Sequence, residues 1–335
     1  MDRRDSPRSF GFFLVPKFAM LAFTSAVEPL RAANLLTERE LYRWCAISRD
    51  GQPVPASNGL EVVAEASIAS LAERAGRLDD IVVCSGLDAH RYGDQTVFAW
   101  LRRAARQGAH IGALSDGASI LARAGLLGGH KCTIHWQCLP GFAETFPDIT
   151  VDTELYCIDR KRYTASGGTA ALDLMLHMIE LDHGRDLAVA VAEQLLHERI
   201  RGDDDRQRMP LRVRLGLGHP KVLEVIRLME ENLEEPLSCA ELAERSGVST
   251  RQMERLFRKY LASTPRRYYL QLRLQRARRL LNESSLPVME VALACGFVSP
   301  SHFAKCYREQ YNQVPKSARQ SGAARPPVAS TVAAE

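Results

Sequence analysis

The chain has no stretch of apolar residues approaching the ~18 that a membrane-spanning helix needs. Its first residues, MDRRDSPRSFGFFLVPKF, carry charge and then only the short run FGFFLV before Pro16. A secretory signal needs a longer apolar region and a small-residue cleavage site. FGFFLV therefore reads as a buried strand, and the expected location is the cytoplasm. Metal-ligand cysteine spacing is also missing. The eight cysteines stand at 45, 84, 132, 138, 157, 239, 295 and 306, with no C-x-x-C among them. Most lie in apolar surroundings, as Cys84 does in DDIVVCSG, so reduced core thiols are expected, with no metal site and no cofactor. Acidic residues are scarce in one region. From Arg245 to Arg319 there is no Asp and there are four Glu, against fifteen Lys and Arg, a net charge of +11. The whole chain carries only +4, which leaves about −7 for the rest. A localised basic segment on an acidic chain points to a polyanion partner. Charge alone fits an ion-paired helical surface equally well, so the pattern inside the segment has to decide.

A length of 335 residues favours two domains, and 46% hydrophobic with 25% charged residues is ordinary for a globular protein. The basic segment contains an internal repeat. ELAERSGVSTRQMERLFRKYLASTP begins at Glu241, and EVALACGFVSPSHFAKCYREQYNQVP begins at Glu290. Ala243 and Gly247 recur 49 residues later as Ala292 and Gly296; Ser249, Phe257 and Pro265 recur 50 later as Ser299, Tyr307 and Pro315. One added residue in the second turn accounts for the slip. Each copy has the grammar of a helix-turn-helix. A small residue permits close approach of the second helix. A glycine supplies the left-handed turn, and a serine caps the next helix. Met253, Leu256 and Phe257, and then Phe303, Cys306 and Tyr307, form buried faces at helical spacing.

The outward positions are Thr250, Arg251, Gln252, Glu254, Arg255 and Arg258 in the first copy, and Ser301, His302, Lys305, Arg308 and Glu309 in the second. A recognition helix inserts its N-terminal end into the major groove, so Arg251, Gln252 and Arg255 are expected at base edges. Lys305, Arg308, Arg276, Arg278 and Arg279 suit phosphates. Taken singly, each of these residues is also an ordinary solvated side chain. Between the copies, TPRRYYLQLRLQRARRLLNESS reads as a long amphipathic helix with an apolar stripe of Leu270, Leu274, Ala277 and Leu281. Such a connector, holding the two recognition helices ~34 Å apart, would let one chain read successive major-groove faces. From about Pro220 to Arg319 the sequence resembles the DNA-binding domain of the arabinose-regulator (AraC/XylS) family. That resemblance implies sequence-specific activation near promoters, with RNA polymerase as a further partner and a homodimer as an open alternative.

The front half alternates strand-like and helix-like segments. FGFFLV, LYRWCAIS, DDIVVCSG and HIGALS read as strands; SAVEPLRAANLL, ASIASLAERAGR, TVFAWLRRAARQ, ASILARAGLL and TAALDLMLHMIELDHG read as helices, with RYTASGG leading to the last of them. This predicts a mostly parallel α/β sheet with helices on both faces and a ligand site at the carboxyl ends of the strands. The sharpest candidate is the strand–Ser115-Asp116-Gly117–helix junction, shaped like a nucleophile elbow, where backbone N–H groups favour an anion. Three readings stay open there: a capping serine, a non-catalytic ligand site, or a hydrolase with Ser115 as nucleophile and His135 as base. For an amine ligand, Trp136 would offer an aromatic face and Glu28 or Asp116 a charge. Trp136 as a core packer and Glu28 as a salt-bridged helix surface residue are the alternatives.

From about Phe10 to Gly184 the sequence resembles the class-I glutamine-amidotransferase-like superfamily, which includes PfpI-type peptidases and has a flavodoxin-like fold. Active members place cysteine at the elbow, where this chain has Ser115, and an early glutamate, where it has Met20. The resemblance therefore implies a sensor rather than an enzyme. SAVEPLRAAN, ARAGLLGGHKCTIHW and SGGTAALDLMLHMIE are similar to segments of amidotransferase-fused AraC-type regulators. That group responds to glycine betaine or dimethylglycine, carnitine, sarcosine or arginine, and the likeness is greatest to the glycine-betaine regulators. The expected organisation is a sensor over 9–185, a helix and linker over 186–219, a DNA-binding domain over 220–320 and a disordered tail over 321–335. In the linker, Arg212 and Arg214 read as solvated.

Overall fold

β1 (Arg8–Leu14) is the apolar run near the N-terminus, and its alternation builds two cores at once. Phe10, Phe12 and Leu14 face one apolar cluster while Phe13 faces the other. The computed structural model describes residues 6–73, 78–86, 88–202, 205–216, 218–284 and 286–321. The residues fall into two units, 1–207 and 208–335.

In the first unit β1 leads to α1 (Met20–Thr37), β2 (Tyr42–Ser48), the antiparallel pair β3 (Val54–Pro55) and β4 (Glu61–Val62), and β5 (Ala66–Ser67). Then come α2 (Ile68–Glu73), β6 (Asp80–Cys84), α3 (Gln95–Arg106), β7 (His110–Leu114) and α4 (Gly117–Arg123). The unit closes with β8 (Cys132–Thr133), α5 (Leu139–Thr145), β9 (Val151–Asp152), β10 (Tyr156–Asp159), β11 (Arg162–Ala165), α6 (Ala170–His183) and α7 (Arg185–Gln194). Seven strands form one sheet in the order β10-β11-β7-β6-β1-β2-β5, parallel except for the β10–β11 pair. α1, α6 and α7 contribute to one core, α3 and α4 to the other. Strand order reverses between β1 and β6, so the crevice expected of such a fold opens at their carboxyl ends. This is the anticipated α/β fold, with β10 as an unanticipated antiparallel edge.

The boundary differs from the sequence expectation. α7 and the residues after it, as far as Gln207, belong to the first unit rather than to a linker. Ala188, Val191 and Ala192 lie in the core beside α1 and α6. Buried Asp173 then draws the following segment back: it accepts from His197 Nε2 at 2.8 Å and from Arg201 N, Nε and Nη2. Gln207 Nε2 donates to Thr133 Oγ1 and to the carbonyls of Ile134 and Glu154. Polar residues that read as the end of a helix and a linker are thus partners of buried acceptors.

The second unit is all-helical. It comprises α8 (Leu211–Leu215), α9 (Pro220–Glu231), α10 (Cys239–Arg245), α11 (Thr250–Leu261), α12 (Pro265–Glu283), α13 (Val288–Ala294), α14 (Pro300–Tyr311) and α15 (Pro315–Ser321). Arg214 on α8 pairs with Glu230 at 2.9 Å rather than standing free in solvent. Two small cores sit side by side, and α12 serves both. Tyr269 enters the first; Leu274, Ala277, Leu280 and Leu281 enter the second, with Leu270 partly buried against it. At 1.5 Å per residue, the 19 residues of α12 make a strut about 28 Å long. Of the expected disordered tail, residues 322–335 lie outside the described residues. Among the described residues no helix is long and apolar enough to cross a membrane.

Candidate functional site

The two recognition surfaces follow from capping and turn chemistry. α10 and α11 meet at Gly247 (φ 64°), α13 and α14 at Gly296 (φ 73°), both in the left-handed region where a side chain is strained. Ala243 and Ala292 are buried at the helix crossings. Ser249 accepts from Gln252 N and Ser299 from His302 N, so both predicted caps are present. A cation braces each turn: Lys221 Nζ donates to the Ser246 carbonyl at 2.7 Å, and Arg273 donates to the carbonyls of Cys295 and Gly296. The sequence pattern did not single out either brace.

Thr250, Arg251, Gln252, Arg255 and Arg258 are all exposed on α11, and Ser301, His302, Lys305 and Arg308 on α14. Met253, Leu256 and Phe257, with Phe303, Cys306 and Tyr307, are buried behind them. Among the described residues none of these arginines, nor Lys305, is held in an ion pair, whereas Arg227 on α9 is clamped by Glu224 and Glu231. Unpaired cations on the outer face of a capped helix are free to meet phosphates and base edges. His302 is partly engaged, with Nε2 3.3 Å from Cys306 Sγ. The α12 basic run is less available than expected. Arg278 stacks on Tyr311 at 4.8 Å, and Arg276 is half-buried.

In the first unit, Ser115 sits on a true elbow between β7 and α4, with φ 58°. Such a conformation in a non-glycine residue is strained and is held by its surroundings. Ser115 N donates to Ala165 O at 2.9 Å, and Gly167 approaches so closely that a Cβ there would lie 2.9 Å from Ser115 Cβ. The Ser115 amide is therefore spent on the sheet. Ser119 N turns back to the Asp116 carbonyl at 3.0 Å, which leaves the N–H groups of Asp116, Gly117 and Ala118 as first-turn donors of this seven-residue helix. Gly117 lets α4 lie directly on β6, since a Cβ would come within 2.6 Å of the Val83 carbonyl.

Asp116 is the most unusual group here. It is 1% exposed; Oδ2 accepts from Cys138 Sγ at 3.0 Å, and Oδ1 is buried with no hydrogen-bond partner. Burial, with the nearby Asp88 charge adding to it and the Cys138 bond opposing, pushes its carboxyl up to about 7. The Cys138 contact also ties down the loop that carries His135 and Trp136. Cys138 N donates to His135 O, and the two rings lie 5.7 Å apart, both half-buried. Ser115, Asp116 and Gly117 are thus contiguous at the elbow, with the His135–Trp136 loop fastened to them through Cys138. Cys138 was legible only as a core thiol; its place two residues after Trp136 was the available signal. Glu28 is not gathered with this group. It lies two turns into α1, 45% exposed and paired with Arg31 at 2.7 Å. Met20 opens α1 and packs against the apolar core. His135 Nδ1 faces the Gln137 amide at 3.4 Å, where a serine triad would hold an acid.

Residues 12–181 match the DJ-1/PfpI family, and residues 242–321 match the helix-turn-helix domain family. The chain is 48% identical over 315 residues to the HTH-type transcriptional regulator GbdR of Pseudomonas aeruginosa, covering 94% of this chain and 85% of that one. It is 43% identical to the HTH-type transcriptional regulator CdhR of the same organism, covering 93% and 91%. Among solved structures, an AraC family transcriptional regulator from Pseudomonas putida is 34% identical with a TM-score of 0.51. The match covers 56% of this chain and all of that one.

Proposed function

Because the chain belongs to the AraC-type helix-turn-helix transcriptional regulators that carry a DJ-1/PfpI domain, we propose that its sensor domain switches transcription by binding a small cationic metabolite at the Asp116 elbow. DNA binding itself comes with the family. The single observation that supports the ligand class is the buried Asp116 oxygen without a partner. A buried acceptor left unfilled is costly, and a positive group beside it removes that cost. Trp136 on the adjoining loop supplies a ring face for an ammonium that has no hydrogen to donate. Resemblance to the glycine-betaine regulators selects glycine betaine or dimethylglycine first, with carnitine and arginine as alternatives. We take the DJ-1/PfpI domain as non-catalytic and RNA polymerase as the partner of the DNA-bound protein.

The test is calorimetric titration of the full chain with these four compounds. A bound cation favours the ionised carboxylate, so binding should expel a proton from Asp116. Affinity should therefore rise between pH 6 and pH 8, and Asp116→Asn should abolish that dependence. Trp136→Ala should weaken binding by tens-fold, about 2 kcal/mol in a desolvated site. Failure of all four to bind would sink the proposal. Turnover of activated esters that disappears in Ser115→Ala would replace it with an enzyme.

The DNA surface carries its own prediction. Arg251→Ala should cost about 1–3 kcal/mol of specific binding and relax preference at one base position. Lys305→Ala should weaken all sequences alike and lower the salt dependence. Both are read by electrophoretic mobility shift on duplexes selected from a random pool. Unchanged affinity in both variants would remove these side chains from the interface.

A further inference from the structure

Val298 is 95% exposed, in a turn whose other residues are firmly held. On one side Phe297 is buried, packed on Phe303 at 5.1 Å and under the Arg273 guanidinium at 4.2 Å. The same guanidinium holds the carbonyls of Cys295 and Gly296. On the other side Ser299 caps α14, and Pro300 occupies its first turn and restricts Ser299 to extended backbone. Val298 is also the added residue of the second repeat. In the first, Gly247, Val248 and Ser249 are consecutive, and Val248 is half-buried. The second repeat therefore projects one extra side chain from the N-terminal tip of its recognition helix. That chain is apolar and β-branched, with few rotamers to lose, and its backbone is already fixed. An isolated exposed apolar residue needs no explanation by itself. This one stands three residues before Ser301, four before His302 and seven before Lys305, all of them exposed.

We infer that Val298 is a base-reading residue whose methyl groups pack against the 5-methyl group of a thymine in the major groove. The tip of a recognition helix is the part that reaches base edges, and the thymine methyl is the apolar feature displayed there. Val298 adds one position of sequence preference to the second half-site that the first repeat does not have. The inference rests on α14 entering the groove.

Duplexes are first selected from a random pool with the full wild-type chain. Each thymine of the selected site is then replaced singly by deoxyuridine, which removes only the methyl. Wild type should lose affinity about fourfold at one such position, the worth of a buried methyl. Val298→Ala should bind the unmodified site more weakly and be indifferent to that replacement. The side chain is exposed, so the variant should fold as wild type does. Equal affinity of wild type and Val298→Ala, or a thymine effect that persists in the variant, overturns the inference. Intact DNA affinity with reduced activation in a reconstituted transcription assay would also overturn it, and would assign Val298 to polymerase instead. Failure of wild type to select any sequence would instead strike at the DNA-binding role of α14 itself.

Discussion

Arg8→Ala is expected to lower the stability of the first unit by about 3–5 kcal/mol, the cost of stranding a buried charge. Arg8 donates from Nε and Nη2 to the two oxygens of Asp80, at 2.7 and 2.9 Å, and from Nη1 to Asp182 at 2.8 Å. Tyr163 completes Asp80 and Tyr42 completes Asp182, each through its hydroxyl at 3.2 Å. Asp80 is fully buried. Without Arg8 its carboxylate keeps the Tyr163 hydroxyl and a distant His110 at 3.8 Å. The network sits at the amino ends of β1 and β6, and the carboxyl ends of the same strands form the switch-point crevice beside the elbow. Arg8→Lys should recover only part of the loss, because a lysine cannot make the bidentate pair. All three tryptophans, at 44, 100 and 136, lie in the first unit, so denaturation followed by tryptophan fluorescence reports that unit alone. A change below 1 kcal/mol would show that the network does not anchor the sheet.

The contrast between legible and illegible parts of this chain is physical. The second unit could be read in detail because a duplicated pattern constrains itself. Gly247 and Gly296, Ser249 and Ser299, and the two apolar faces each stated the same local rule twice. The parallel strands β1, β6 and β7 were visible as short apolar runs between turn signals. Hairpin β10–β11 was not, because its connection places Arg160 at φ 58°, where Asn or Gly would have signalled the turn. α1 begins at Met20 rather than at Ser25, with Pro29 inside it. The proline and the lack of a side-chain cap hid its first turn. The segment after α7 read as linker because composition counts charges without their partners. Asp173, 24 residues before His197 and 28 before Arg201, is what makes that segment structure. The elbow followed the same division. Ser115, Asp116 and Gly117 were marked by the strand-to-helix junction. The pairing of Cys138 with Asp116, across 22 residues, is tertiary and left no local trace.

Gly247→Ala and Gly296→Ala put one substitution into corresponding turns, and the second is expected to be far more damaging. Both glycines are left-handed, so each alanine costs about 1–2 kcal/mol in backbone conformation alone. At Gly247 there is room: the nearest atom to a new Cβ is Lys221 Nζ at 3.4 Å, the end of a flexible chain. At Gly296 the new Cβ would lie 2.5 Å from Pro236 Cγ, 2.7 Å from Pro236 Cδ and 2.8 Å from the Leu233 carbonyl. A proline ring and a backbone oxygen cannot step aside cheaply, and overpacking of this kind adds about 1–3 kcal/mol. The expected loss is therefore roughly 1–2 kcal/mol for Gly247→Ala and 2–5 kcal/mol for Gly296→Ala. The displaced turn is also the one that Arg273 braces and from which α14 projects. In Gly296→Ala the footprint on selected DNA should shrink to the half-site of the first repeat, a loss of about one helical turn. Gly247→Ala should keep the full footprint. Far-UV circular dichroism of the full chain reports the helices of both units, and tryptophan fluorescence only the first, so a loss of helix at which fluorescence stays unchanged belongs to the second unit; fluorescence should stay unchanged in both variants. Equal destabilisation by the two alanines would show that conformation alone sets the cost, and that the contact with Pro236 and Leu233 adds nothing.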